Sequence, residues 1–133
     1  MKKLTIITIF ALSILFASFA TVKEIPEDLT VNQLIQKGQS EYDLGHYTAA
    51  ETYFSVAIQR FGTNDAVYVE AKYELGHLYI KTKDYKNAYS ALTEIINIFN
   101  YSPSSEIPTS YKKLALIELN KIPRNIKESL EKN

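Results

Sequence analysis

The chain has 133 residues and is formally neutral, with 15 basic and 15 acidic side chains, ten tyrosines, no tryptophan and no cysteine. That length suits one small domain, and the missing cysteines exclude disulfides, thiolate zinc sites, cysteine nucleophiles and a lipid-modified cysteine. Setting aside Lys2 and Lys3 with the first twenty residues leaves 13 basic and 15 acidic groups, a balance that speaks against a nucleic-acid binder with a basic face.

Met1-Lys2-Lys3 precedes an apolar run from Leu4 to Ala20 that closes on Ser18-Phe19-Ala20. A basic start, an apolar centre and small residues at −3 and −1 describe a secretory signal cleaved after Ala20. The competing reading is an uncleaved anchor over residues 4–22, whose nineteen residues suffice to span a bilayer. Under either reading the lysines stay in the cytoplasm and the rest of the chain lies outside the inner membrane, in the periplasm or cell envelope. Residues 21–29, with Pro26 and four charges, read as a linker.

Thr30-x-x-Gln33 is a capping box opening a first helix, whose apolar stripe is Val31, Leu34, Ile35, Gly38, Tyr42 and Leu44. Gly45 supplies its left-handed stop. A second helix is expected from about Tyr47 to Phe61, broken by Gly62-Thr63-Asn64. A third is capped by Asn64 or Asp65 and runs to about Lys81; a fourth starts at Asp84 and runs to about Asn100. After a Ser/Pro loop, Pro108 suits the first turn of a fifth helix ending near Asn120. Pro123 ends or kinks it, and the short charged tail from Arg124 to Asn133 reads as a last amphipathic helix through Ile126 and Leu130. No segment alternates as a half-buried strand would, so the expected class is all-α.

One pattern is written twice. Gly38 pairs with Gly76, Tyr47 with Tyr85, Ala50 with Ala88, Phe54 with Leu92 and Ala57 with Ile95, each pair 38 residues apart. A shared offset of this size points to stacked repeats. The motif resembles the tetratricopeptide repeat, a helix–turn–helix unit of about 34 residues with small and aromatic residues at set positions. The resemblance implies two units, 31–64 and 69–102, a partial third unit with a capping helix over 107–133, and a short right-handed α-solenoid. It also implies packing roles for Gly38, Tyr47, Ala50, Phe54, Gly76, Tyr85 and Ala88. The long period and the aromatics Phe61 and Phe99 near the ends of the second helices are similar to the bacterial envelope branch of this family. That branch includes outer-membrane β-barrel assembly proteins of the BamD type and a periplasmic coordinator associated with Tol–Pal.

In such a fold the first helix of each unit lines a groove that receives a peptide or helix of a protein partner. The resemblance places Asn32, Ile35, Gln39, Tyr42 and Asp43 there from the first copy. The second copy supplies Glu70, Tyr73, His77, Ile80 and Lys81, and the partial third Lys112 and Leu116. Tyr42, Tyr73 and His77 are the sharpest candidates, being amphipathic residues suited to a wet interface. Some family members grip a C-terminal carboxylate with Lys and Asn; here those sites hold Ile35 and Gln39, so no such clamp is expected. His46 and His77 have no second histidine at ligand spacing, so neither a metal nor a cofactor is expected. The carboxylate pairs Glu41/Asp43 and Glu70/Glu74 read as solvated helix faces rather than acid–base machinery. Phosphate loops and nucleophile elbows are missing, and the chain reads as a non-enzymatic interaction scaffold. The segment 112–132 carries six basic and three acidic residues and reads as a solvated surface. Two and a half units leave the stack short, so Phe99, Ile107, Leu114 and Ile117 are where an open edge, and hence a homodimer, would be sought.

Overall fold

The computed structural model describes residues 24–132. Among them are six α-helices: α1 Val31–Asp43, α2 Tyr47–Phe61, α3 Asp65–Thr82, α4 Tyr85–Tyr101, α5 Ser110–Leu119 and α6 Arg124–Leu130. The signal or anchor segment, at 1–20 or 4–22, lies outside the described residues. None of the described helices is long and apolar enough to cross a membrane.

The helix ends follow local chemistry. Thr30 and Gln33 close the capping box reciprocally, with the Gln33 amide donating to Thr30 Oγ1 at 3.3 Å and the Thr30 amide to Gln33 Oε1 at 2.9 Å. Asn64 caps α3 by accepting from the Val67 amide at 3.1 Å, and Asp84 caps α4 by accepting from the Asn87 amide at 3.3 Å. At the position matching Asp84 the first copy has His46, which makes no side-chain cap. The turn between the helices of each copy needs a left-handed residue. Gly45 takes it in the first copy at φ 79°, and Lys83 in the second at φ 61°. Each copy therefore has one good turn residue and one poor one.

The helices stack as consecutive antiparallel pairs. Helix α2 lies between α1 and α3, α4 lies between α3 and α5, and α1 touches α3 while α3 touches α5. This is an all-α helical-repeat solenoid. The first core layer joins Leu34, Ala50, Phe54, Ala57, Leu75 and Leu78; the second joins Val69, Ala88, Leu92, Ile95, Ile107 and Ala115. Tyr47 and Tyr85 pack at the edges of these two layers. The glycines set the spacing between paired helices. A Cβ on Gly38 would meet the Phe54 ring, with Cδ1 at 2.8 Å, and one on Gly76 would meet the Leu92 side chain, with Cδ2 at 2.6 Å.

Three sequence expectations change here. Residues 24–29 are not a free linker. Ile25 and Leu29 pack on the first core layer, and Arg60 donates to the carbonyls of Pro26 at 2.6 Å and Ile25 at 3.0 Å. Apolar residues at those two positions had an uncovered layer to bury against. The fifth helix begins at Ser110, with Pro108 and Thr109 forming the turn before it. The expected open edge is only partly open. Ile107 is 2% exposed and Phe99 packs on the second layer, whereas Leu114, Leu116 and Ile117 on α5 are exposed. Among the described residues the short α6 packs on α4 and does not cover that side of α5.

Candidate functional site on the inner face

The first helices of the repeats, α1, α3 and α5, share one face, and a row of rings runs across it. Tyr42 on α1 lies 5.2 Å from His77 on α3, ring centre to ring centre. His77 stacks on Tyr73 at 6.2 Å, and Tyr73 meets Tyr111 on α5 at 5.7 Å. Tyr73 and His77 are one turn apart on α3, so the helix itself puts them on one side. Tyr111 stands 38 residues after Tyr73.

Carboxylates are interleaved with the rings. Gln39 donates from Nε2 to Glu74 Oε1 at 2.8 Å, tying α1 to α3. Glu118 on α5, an acidic side chain, is only 4% exposed. Its Oε1 accepts from Lys121 Nζ at 2.7 Å and lies 3.1 Å from His77 Nδ1. That second approach is misaligned for a hydrogen bond, and among the described residues both His77 Nδ1 and Glu118 Oε2 lack a hydrogen-bond partner. The other ring nitrogen of His77, Nε2, is 3.0 Å from the Tyr42 hydroxyl. A neutral ring accepting there carries its proton on Nδ1, toward Glu118.

The electrostatics of the face are negative. Burial, then Glu74, raises the Glu70 carboxyl above the usual carboxylate range. Burial also raises the three tyrosines, followed by Tyr47 and then the acids at Tyr42 and by Glu118 and Glu74 at Tyr73, with Tyr111 pushed up to about 12 by burial, Glu70, Glu74 and Tyr73. Each shift says that a further negative charge is unwelcome here. Among the described residues no cationic side chain pairs with Glu70 or Glu74.

The expected groove residues divide. Gln39, Tyr42, Glu70, Tyr73 and His77 meet on this face. Ile35 does not: at 5% exposure it belongs to the first core layer, because its position on α1 faces α2 and α3. Ile80 packs on the second layer. Lys112 turns away and donates to the Asn100 side chain of α4 at 2.8 Å. Lys81 and Asn32 are exposed, Asp43 is exposed and adds its negative charge beside Tyr42, and Leu116 is 46% exposed. The positive charge expected of the groove is thus largely absent from the ring row. Sequence reasoning passed over Tyr111 and Glu118 as groove residues. The signal for Tyr111 was the same 38-residue offset, and Glu118 sits two helical turns further along the same side of α5.

On the far side, Tyr68 donates to Glu94, whose other oxygen is 3.0 Å from Lys72 Nζ, and this pairs α3 with α4 beside a shallow cleft of about 360 Å³ lined by Asp65, Tyr68, Val69 and Ile98. The Glu94 carboxylate there is already taken up by Tyr68 and Lys72. Among the described residues, no group of three or more His, Asp or Glu is placed to hold a metal ion.

Comparison with known proteins agrees with the fold. The tetratricopeptide-repeat family model matches residues 69–100. An uncharacterized protein of Treponema pallidum (strain Nichols) is 33% identical over 110 residues, covering 81% of this chain and 44% of that protein. The chain therefore spans less than half the length of that relative. No solved structure matches.

Proposed function

We propose that the chain is a non-enzymatic protein–protein interaction adaptor of the bacterial cell envelope, serving outer-membrane β-barrel protein assembly. The observation that carries the adaptor reading is the half-buried row of Tyr42, His77, Tyr73 and Tyr111, laid across three repeat helices and open along one side. Rings in such a row give large contact area at low entropic cost, as residues that dominate interfaces do. Tetratricopeptide repeats generally bind proteins, and one is found at residues 69–100. The envelope location rests on the secretory pattern of residues 1–20, and the assembly role on the long repeat period with its terminal aromatics.

Affinity purification from cross-linked cells tests the machine. Recovery of the β-barrel assembly core supports the proposal, recovery of Tol–Pal components transfers it to the periplasmic-coordinator alternative, and recovery of neither retires both. A self-associating scaffold has one observation on its side, the exposed Leu114, Leu116 and Ile117 of α5. It requires a concentration-dependent dimer in sedimentation, and a strict monomer ends it.

A further inference from the structure

From the same inner face we infer the chemistry of its ligand: an extended peptide segment presenting arginine or lysine side chains to Tyr73, Tyr111, Glu70 and Glu74. The inference rests on the adaptor reading and narrows it.

Three independent observations point to a cation. Ring faces attract cations through their quadrupole, most strongly where water is partly excluded, and four rings lie in succession at 5.2, 6.2 and 5.7 Å. Beside them Glu70 and Glu74 sit half-buried, one turn apart, with no cationic partner among the described residues. Two like charges on one face repel each other unless something positive comes between. Finally, Glu118 lies buried behind the rings, 4% exposed, with no hydrogen-bond partner for Oε2 among the described residues and Lys121 serving only Oε1, and its charge adds to the negative field at Tyr73 and Tyr42. A guanidinium carries five N–H donors in a plane that stacks on rings and forks onto carboxylates. An acidic segment would meet the same groups with repulsion.

The length of the row identifies the ligand as a chain rather than a free amine. An extended segment rises about 3.3 Å per residue, so roughly five residues lie along the four rings. Alternate side chains then reach the face, which suits basic residues at every second position.

The test uses the full chain, held in neutral detergent, and fluorescence polarisation of labelled heptapeptides with two arginines, two citrullines or two glutamates alternating with alanine. The arginine peptide is expected to bind at least tenfold tighter than the citrulline peptide, with the glutamate peptide weaker still and the preference shrinking as salt rises. The double variant Glu70→Gln, Glu74→Gln keeps an acceptor for Gln39 and should cost the arginine peptide about tenfold, with circular dichroism checking the fold. Glu106→Gln, on the exposed loop away from the face, should cost nothing. Equal binding of the citrulline peptide overturns the charge assignment while leaving the groove in use. Free arginine amide competing as well as the peptide overturns the chain assignment. Failure of all peptides to bind overturns the inference altogether, and the adaptor reading is then judged on the cross-linking of its partner.

Discussion

Gly38 and Gly76 occupy equivalent places but do not carry equal weight. A methyl on Gly38 comes within 3.0 Å of three atoms of the buried Phe54 ring, and one on Gly76 within 3.0 Å of two atoms, Cδ2 and Cγ, of the equally buried Leu92. A ring has no rotamer that withdraws it, whereas a leucine can shift. Overpacking costs about 1–3 kcal/mol, against about 1 kcal/mol gained from replacing glycine within a helix. Gly38→Ala is therefore expected to lower the unfolding free energy, read from urea unfolding, by about 1–2 kcal/mol, the upper part of that difference, and Gly76→Ala by less. The left-handed Lys83 gives the opposite case. A side chain in that conformation costs about 1–2 kcal/mol, and glycine relieves it at some cost in unfolded-chain entropy. Lys83→Gly should raise stability by about 0.5–1 kcal/mol in the same assay.

At the scale of elements, the segment before α1 is part of the fold. It carries Ile25 and Leu29 onto the first core layer and is held by Arg60 of α2. Hydrogen bonds from a charged donor to two carbonyls, partly in solvent, are worth about 1 kcal/mol. Arg60→Ala should cost about that much and speed amide exchange at the start of α1 more than in α4. The pairing of α3 with α4 through Glu94 responds to acid. Burial alone would raise this carboxyl, but the Tyr68 hydrogen bond and Lys72 outweigh it and hold it below the usual range. Its contribution is present above the ordinary carboxylate pKa and is lost as pH falls through the lowered one. The element boundaries were largely legible in the sequence because Thr30, Asn64, Asp84 and Gly45 act locally. The packing of residues 24–29 was not, since Pro26 and the charges around it say nothing about a layer that only the folded chain leaves uncovered. The inner face was half legible. Tyr42, Tyr73 and His77 follow from the repeat resemblance, but the same resemblance placed Ile35 there and it is buried, because which side of α1 is covered depends on where α3 docks. Lys112 likewise turns to Asn100, a partner twelve residues earlier that only the α4–α5 angle brings near.

For the molecule as a whole, the inner face spends stability on a negative surface. Glu70 is raised by burial and by Glu74, so between the ordinary carboxylate value and its raised folded one the native state binds more protons than the unfolded state. Stability from this group therefore falls as pH rises through that window. Glu70→Gln should be more stable than the parent at pH 7, by about 0.5 kcal/mol given its exposure, and should lose that advantage below pH 4. Such a residue is better explained by a ligand than by the fold, which returns the question to the row of rings. The direct measurement is site-specific photocross-linking in cells, with a benzophenone side chain placed at Tyr73 on the inner face or at the exposed Ser90 of α4. A discrete protein adduct from position 73, absent from position 90 and diminished by Glu70→Gln with Glu74→Gln, is the expected result. Equal adducts from both positions, or none from position 73 while the intact chain still captures its partner, would contradict a partner-binding inner face.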